Sequence, residues 1–195
     1  NEADNVLALV QEIHAALETR ADFELIYVDD GSDDDTPQRL VQASAAFPRL
    51  VIVRHQQSCG QSAAVLSGVR AARHPWIATL DGDLQNDPRD IPRLVQRLLS
   101  EDLDIVAGWR HQRQDGFWLR KLPSQLANRL IRRITGLPFH DLGCSLKAFR
   151  ADVLREVRLY GEMHRFIPAW LSTVTSPARM AEEPNAKKVV AAAKK

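Results

Sequence analysis

Short apolar runs alternate with segments of helical periodicity over residues 1–109, and this alternation constrains the fold more than any other feature of the sequence. The apolar runs lack a strict every-second-residue pattern, as expected for strands that are buried on both faces. Helical segments of about 10 to 15 residues between such strands are typical of βαβ units and a mainly parallel sheet. The predicted strands are "FELIYVDD" (23–30), "LVIVRH" (50–55), "WIATLDGD" (76–83) and "LDIVAGW" (103–109).

Helical spacing of apolar residues predicts the remaining elements. Thr36 followed by Pro37 marks one helix start, because threonine caps a helix and proline suits its first position. Beyond Trp170 the sequence becomes rich in Ser and Thr and then in Ala and Lys. We therefore expect one domain over residues 1–170 and a loosely ordered tail over 171–195. The predicted helices cover 3–19, 36–47, 60–73, 87–100, 117–135 and 151–159, and a short strand is expected within 136–150.

Charge is nearly balanced over the whole chain and uneven locally. The 195 residues carry a net charge of +1, so the overall charge points to no particular partner, and we expect no nucleic acid. The segment 29–35 holds five aspartates, whereas 110–133 holds seven Arg or Lys and one acid. Such patches are either two solvated faces or a site that handles a metal ion and an anionic ligand together.

The two cysteines, Cys59 and Cys144, have no metal-binding spacing, and a reducing compartment is the simpler interpretation. No apolar run reaches about 18 residues, and the N-terminus "NEADNVLALV" has no basic region of the kind that begins a signal peptide. These features predict a cytoplasmic protein. The sequence does not define an oligomeric state, and a homo-oligomer stays open.

Carboxylates follow two of the predicted strands. Asp29 and Asp30 end one strand, and Asp81 and Asp83 end another. Ligands of such sheets bind beyond the carboxyl ends of the strands, so both acid pairs are expected at one edge. Two neighbouring anions repel unless a cation lies between them. Carboxylates, with the amide oxygen of Gln85, suit Mg²⁺ or Mn²⁺ completed by the phosphates of a substrate; the alternative is a loop of turn-forming acids.

Five segments of the sequence form a recognisable set: "VDDGSDDDT" (28–36), "CGQSAAVLSGVRAA" (59–72), "LDGDLQNDP" (80–88), "DLGCSLKAFR" (141–150) and "MHRFIPA" (163–169). Together they resemble the family 2 glycosyltransferases, and among them the dolichol- or polyprenyl-phosphate sugar transferases. The similarity runs in order from about residue 1 to 170. It implies a GT-A fold, a nucleotide-sugar donor, a divalent metal, inversion at the sugar carbon, and a polyprenyl-phosphate acceptor at the cytoplasmic face of a membrane.

The resemblance also implies roles for individual residues. The nucleotide would contact Asp29, Asp30, Gly60, Gln61 and Asp81. The metal would be held by Asp81, Asp83 and Gln85. Arg110 corresponds to a phosphate-site arginine, Arg120 and Ser124 to acceptor-phosphate contacts on one helical face, and His164 and Arg165 to the "HRF" element. His164 could equally be a hydrogen-bonded structural histidine.

A mechanism follows from charge. Negative charge accumulates on the leaving diphosphate, where a metal ion and Arg110 would stabilise it. A phosphate acceptor is already anionic at neutral pH, so positioning would replace a strong general base. The sequence shows no further acid in a base motif of the family, which favours a phosphate acceptor over a sugar hydroxyl.

The sequence departs from the family at its start. Family members open with a strand that ends in Pro-x-Tyr-Asn-Glu, and Asn1–Glu2 match only the last two residues of that motif. We therefore expect a GT-A sheet that lacks the family's first strand. Two alternatives remain at this point. One is a signalling receiver domain with an acidic Mg²⁺ site and Lys147 as its lysine, and the other is an inactive fragment of a glycosyltransferase.

Overall fold

The computed structural model describes residues 1–109, 136–137 and 139–185, and it confirms an α/β fold. The strands are β1 (Leu25–Asp29), β2 (Leu50–Arg54), β3 (Trp76–Thr79), β4 (Ile105–Trp109), β5 (Lys147–Arg150) and β6 (Met180–Pro184). The helices are α1 (Ala3–Leu17), α2 (Thr36–Ala46), α3 (Gln61–Ala71), α4 (Ile91–Ser100), α5 (Ala151–Glu156) and α6 (Ile167–Leu171). Short 3-10 helices cover Pro88–Asp90, Met163–Phe166 and Pro177–Arg179. The predicted helix over 117–135 lies outside the described residues.

The described strands form two hydrogen-bonded sheets. In the first, β1 and β2 are parallel, with Leu25 opposite Leu50. The second has the order β3-β5-β4-β6. Its strand β5 is antiparallel to both neighbours, and β6 is parallel to β4, so β3, β4 and β6 run in one direction. The mainly parallel character predicted from the sequence is therefore present, with β5 as the reversed strand.

Helix α1 connects the two sheets through its buried face. Val6 and Val10 pack with Leu40 of α2 and Leu50 of β2 in one apolar cluster. On the next turns, Leu9 and Ile13 join a larger cluster beneath β3, β4 and β5. This arrangement follows from the helical spacing of the four apolar residues, which places them along one stripe of α1.

The prediction of a loosely ordered tail over 171–195 is wrong for residues 171–185. Met180–Pro184 forms strand β6, which pairs with β4 over five residues. Asp104 and Arg179 reinforce the start of this pairing, because the Arg179 guanidinium donates to both carboxylate oxygens of Asp104. The sequence "MAEEP" has little intrinsic strand propensity, so backbone pairing along the edge of β4 outweighs the local preference.

None of the helices described is both long and apolar enough to cross a lipid bilayer.

Candidate active site

The two acid pairs follow β1 and β3, as the sequence predicts. Asp29 is the last residue of β1 and Asp30 follows it, while Asp81 and Asp83 lie in the turn after β3. We call the region formed by residues 29–31 and 81–85 the acidic edge. The 57–60 loop contacts its first part through Asp30, and Gln61 of α3 contacts its second part through Asp81.

The carboxylate of Asp30 is surrounded by donors from the β2–α3 connection. Its Oδ1 accepts hydrogen bonds from His55 Nδ1 at 2.6 Å and from the Cys59 backbone at 2.9 Å. Its Oδ2 accepts from Ser58 Oγ at 2.9 Å and from the Gly60 backbone at 2.8 Å. A carboxylate offers about four acceptor positions, so this loop occupies all of them.

These contacts decide the charge of Asp30. Burial alone would raise the pKa of its carboxyl group, but the four hydrogen bonds outweigh burial and lower the pKa to about 2. The carboxylate is therefore ionised at neutral pH and fastens the loop 58–60 to the end of β1. His55 extends the network, because its Nε2 lies 2.8 Å from Ser67 Oγ of α3.

Asp29 is buried at the end of β1. It is 2% exposed, and its Oδ1 accepts a hydrogen bond from the backbone N–H of Ser32 at 3.0 Å. Its Oδ2 lies 3.3 Å from Arg54 Nε, an ion-pair contact that lacks hydrogen-bond geometry. A direct contact between Asp29 and a nucleoside would therefore require this turn to move.

Gly31 allows the 57–58 backbone to approach the end of β1. Its φ is +72°, and a Cβ added there would lie 2.5 Å from the carbonyl carbon of Gln57 and 2.6 Å from the nitrogen of Ser58. Any residue with a Cβ would be unfavourable here for two reasons: the left-handed backbone conformation is strained, and the Cβ would collide with the 57–58 backbone. The Gly31 position and the Asp30 carboxylate thus hold one loop in place together.

The turn after β3 is built against β1 and the core. A Cβ on Gly82 would lie 3.0 Å from the hydroxyl oxygen of Tyr27, so glycine lets the turn sit against β1. Burial raises the pKa of Tyr27 to about 12, which keeps this hydroxyl protonated. Leu84 adopts a left-handed φ of +60° while its side chain packs on the core. Such a conformation is costly for leucine and is found where surrounding structure enforces it, often at functional sites.

Ser145, just before β5, holds the same turn from the other side. Its Oγ accepts the Asp81 backbone N–H at 3.3 Å and the Asn86 side-chain amide at 2.8 Å. Its carbonyl oxygen accepts from Thr79 Oγ1 at 2.8 Å. The antiparallel strand β5 therefore delivers a residue to the carboxyl end of β3.

Gln61 joins the two parts of the acidic edge. Gly60 donates its backbone N–H to Asp30, and the next residue, Gln61, donates its side-chain Nε2–H to Asp81 Oδ1 at 2.9 Å. The sequence prediction that Asp29–Asp30 and Asp81–Asp83 meet at one edge is consistent with this continuous chain of contacts. Gly60 has a φ of +90° with open space around it and is the N-cap residue of α3.

The predicted metal ligands keep unoccupied carboxylate oxygens. Asp81 Oδ1 accepts from Gln61, and Asp83 Oδ1 accepts the Gln85 backbone N–H at 3.0 Å. Among the described residues, nothing donates to the Oδ2 atom of either carboxylate. Both aspartates are partly exposed and Gln85 is exposed. Two carboxylates with free oxygens fit Mg²⁺ or Mn²⁺, which take their remaining ligands from substrate phosphates and water.

A second group of metal-type ligands lies nearby. The ligand atoms of Asp30, His55 and Cys59 all fall within 4.8 Å of one another. The Asp30 oxygens in this group are already filled by the loop hydrogen bonds described above. The proximity of these three residues is therefore better explained by the hydrogen bonds that hold the 58–60 loop against Asp30.

The "HRF" element packs against the start of α3. The backbone N–H of His164 donates to Ser62 Oγ at 3.0 Å, and His164 Nδ1 lies 3.2 Å from the same oxygen. Arg165 is directed elsewhere and pairs with Glu162 at 3.0 Å. Ser62 and Gln61 are adjacent, so the first turn of α3 contacts both the "HRF" element and the acidic edge.

Three predicted residues lie outside the described part of the chain: Arg110, Arg120 and Ser124. The structure adds four residues that the sequence analysis did not single out: His55, Ser58, Ser62 and Ser145. Ser62 lies within the quoted "CGQSAAVLSGVRAA" segment, and Ser145 lies within "DLGCSLKAFR". Position within a matching segment was the available signal for both.

Residues 1–158 match the sequence profile of glycosyl transferase family 2. The chain belongs to this family. The match covers both acid pairs, the 57–60 loop and strand β5. It excludes the receiver-domain alternative, and Lys147 in the structure is 3% exposed with its ammonium group donating to the Cys144 carbonyl.

Curated relatives extend the comparison. The chain is 50% identical over 187 residues to a dodecaprenyl-phosphate galacturonate synthase of Rhizobium johnstonii, covering 93% of this chain and 54% of the relative. It is 40% identical over 171 residues to an undecaprenyl-phosphate 4-deoxy-4-formamido-L-arabinose transferase of Pseudomonas aeruginosa, covering 86% of this chain and 50% of the relative. The chain thus spans about half the length of the curated relatives it matches.

Solved structures support the GT-A fold. A complex of glucosyl-3-phosphoglycerate synthase from Mycobacterium tuberculosis with Mn²⁺ and UDP-glucose superposes with a TM-score of 0.74 at 20% identity, covering 98% of this chain and 69% of that one. Mannosyl-3-phosphoglycerate synthase from Rubrobacter xylanophilus gives a TM-score of 0.74 at 18% identity, covering 95% and 62%. The fold prediction is confirmed by these neighbours.

Proposed function

We propose that this chain is the catalytic part of a glycosyltransferase that moves a sugar from a nucleotide diphosphate sugar to a polyprenyl phosphate. The observation that carries the proposal is the acidic edge. Two partly exposed carboxylates with free oxygens, Asp81 and Asp83, lie beside a loop that Asp30 fastens and Gln61 connects. The named relatives, which share up to 50% identity with the chain, act on polyprenyl phosphates by their names and support the acceptor class.

The donor diphosphate would bind at the Asp81–Asp83 turn through a divalent cation. When bound there, Mg²⁺ or Mn²⁺ would neutralise charge on the leaving diphosphate. The protein's part is to keep both carboxylates in place, through Ser145 on the backbone of Asp81 and through the left-handed turn at Leu84. The nucleoside would lie against the 57–60 loop, so Asp30 would act by holding that loop.

The acceptor phosphate is already an anion at neutral pH, so the chain would need to orient it rather than deprotonate it. The contacts proposed for this task are Arg120 and Ser124, with Arg110 on the donor phosphate. Inversion would follow from attack by the acceptor oxygen on the face of the sugar carbon opposite the departing diphosphate.

A membrane surface is the proposed location of the acceptor. The segment 160–174, which contains the "HRF" element and α6, carries four exposed apolar side chains: Tyr160 is 70% exposed, Phe166 37%, Trp170 38% and Val174 46%. Phe166 directly precedes α6, Trp170 lies within α6, and Val174 lies in the turn that follows it. Aromatic side chains of this kind favour the interface between lipid and water.

The deciding experiment compares Asp83→Ala with Asp35→Asn in a thermal-shift panel. The panel contains UDP-, GDP- and dTDP-sugars, each with Mg²⁺, with Mn²⁺, or with a chelator. The wild type should be stabilised by one donor only when metal is present, by about 2.7 kcal/mol at 100 times the dissociation constant.

Asp83→Ala should lose this metal-dependent stabilisation, and transfer to a polyprenyl phosphate should fall below detection. Asp35 is an exposed carboxylate of the segment 29–35, and its side chain has no hydrogen bond to any described residue, so its variant should behave as the wild type. Metal-dependent donor binding that persists in Asp83→Ala would exclude the proposed metal site.

A further inference from the structure

Ser62 occupies a central position that the sequence motifs do not explain. It is the second residue of α3 and is 2% exposed. Its neighbour Gln61 reaches Asp81, whereas Ser62 faces the "HRF" element. A buried hydroxyl group needs hydrogen-bond partners, because an unpaired one costs about 1–3 kcal/mol.

The hydrogen bonds of Ser62 assign the proton of its hydroxyl group. The oxygen accepts the backbone N–H of His164 at 3.0 Å. The hydroxyl group has one proton to donate. Among the described residues, the acceptor within reach is His164 Nδ1, 3.2 Å away. Ser62 therefore donates to Nδ1 and accepts from the backbone of the same residue.

This pair of contacts selects one tautomer of the imidazole. A neutral histidine has one nitrogen that donates and one that accepts. Because Nδ1 accepts from Ser62, the ring proton lies on Nε2. In the described part of the chain, Nε2 has no hydrogen-bond partner, and His164 is partly exposed. The ring thus keeps one N–H available for a ligand.

We propose that Ser62 is a positioning residue that fixes His164 in the Nε2–H tautomer, so that the imidazole offers a hydrogen-bond donor to a phosphate oxygen of a bound substrate. The phosphate part rests on the proposed function. The first turn of α3 supports it, since one residue of this turn contacts Asp81 and the next holds His164. The phosphate belongs to either the nucleotide or the lipid, and the two sources are separated below.

The tautomer can be measured directly on the wild-type protein. Long-range ¹H–¹⁵N correlation spectra of protein labelled on its histidines distinguish protonated from unprotonated ring nitrogens. The chain has six histidines, and His164→Gln identifies the relevant signals. At pH 7.5, His164 should show an unprotonated Nδ1 and a protonated Nε2. A protonated Nδ1 would overturn the inference whatever the chain catalyses.

Variants then test the role of Ser62. Ser62→Ala removes the donor and should convert His164 to a mixture of tautomers, whereas Ser62→Thr keeps the hydroxyl and should preserve the wild-type pattern. Ser44→Ala is the matched control, because Ser44 is a partly exposed helical serine whose hydroxyl group donates to the Val41 carbonyl. In transfer assays, Ser62→Ala should lower kcat/KM about tenfold and Ser62→Thr should stay within about twofold. An unchanged tautomer in Ser62→Ala would refute the positioning role.

Three probes separate the sources of phosphate: UDP or GDP with Mg²⁺, farnesyl phosphate in detergent micelles, and inorganic phosphate. The probe whose phosphate contacts His164 should shift the Nε2 signal of the wild type, and should shift it less in Ser62→Ala, where only part of the population carries the Nε2 proton. A shift with nucleotide alone assigns the donor, and a shift with farnesyl phosphate alone assigns the acceptor. If a probe binds by thermal shift but none moves Nε2, the phosphate contact is wrong while the tautomer result and the transferase proposal stand.

Discussion

The side-chain amide of Gln61 donates a hydrogen bond of 2.9 Å to Oδ1 of Asp81. The residue before Gln61 donates its backbone N–H to Asp30. A single dipeptide, Gly60–Gln61, therefore connects the carboxylate after β1 with the carboxylates after β3. This connection is the structural basis for treating the two acid pairs as one site.

Gln61→Ala should weaken metal-dependent nucleotide binding about tenfold while changing the free energy of unfolding by less than about 1 kcal/mol. The contact is exposed, so its loss costs little stability, but Asp81 loses the donor that orients it. Isothermal titration with UDP or GDP and Mg²⁺ measures the first effect, and urea denaturation measures the second. Gln56→Ala is the matched control, since Gln56 is exposed in the same connection. Equal affinities for both variants would contradict the orienting role.

Asp30 should make stability depend on pH in the acid range. Its pKa in the folded protein is about 2, below the ordinary value of 3.8. A lowered pKa means that ionised Asp30 stabilises the fold fully above about pH 4, and that this contribution disappears as the pH falls from 4 towards 2. Asp30→Asn should therefore be less stable than the wild type by about 1–3 kcal/mol at pH 7.

The difference between wild type and Asp30→Asn should shrink as the pH falls to 2.5. Urea denaturation across pH 2.5–7 provides the comparison, and other carboxylates that titrate in this range cancel between the two proteins. A gap that stays constant across this range would mean that the charge of Asp30 is not what fastens the 58–60 loop.

Gly31→Ala should destabilise the protein more than Gly161→Ala. Both glycines have positive φ, +72° and +53°, so alanine costs about 1–2 kcal/mol at each from backbone conformation. A Cβ at Gly31 would in addition collide with the 57–58 backbone, whereas a Cβ at Gly161 would have none of the described atoms within 4 Å. Thermal unfolding should show the extra loss at position 31 and weaker nucleotide binding there. An equal loss of stability in both variants would show that the 57–58 backbone can move away from the new Cβ at no cost in free energy.

The exposed aromatic residues should mediate binding to lipid. A double variant with Phe166→Ser and Trp170→Ser should reduce co-sedimentation with anionic phospholipid vesicles several-fold, because these side chains lose their favourable transfer to the interface. Val41→Ser is the control, since Val41 is 65% exposed and lies on α2 rather than in the segment 160–174. Equal sedimentation of the double variant and the wild type would place the membrane contact elsewhere.

The order of strands and helices could be predicted from the sequence because short apolar runs alternate with segments of helical periodicity. The carboxylates at the strand ends could be predicted for the same reason, since the topology of parallel strands fixes their edge. Strand β6 could not, because its pairing with β4 depends on the Asp104–Arg179 contact and on an edge supplied by distant sequence.

The residues that hold the site in place could not be predicted from the sequence either. Ser62 and His164 are 102 residues apart, and no local pattern marks their contact. Ser145 reaches the Asp81 backbone only because β5 reverses direction in the sheet. A serine hydroxyl has little effect on periodicity, so residues of this kind become visible only when the tertiary contacts are known.

The division of the strands into two ladders has a consequence for how the protein opens. In the part of the chain described, β1 and β3 are joined by side chains and packing rather than by backbone hydrogen bonds. Amide protons of the two ladders are therefore expected to exchange with solvent as separate cooperative units. The acidic edge lies at the boundary between these units. A nucleotide bound by residues of both units would therefore protect the amide protons of both sheets from exchange at the same time.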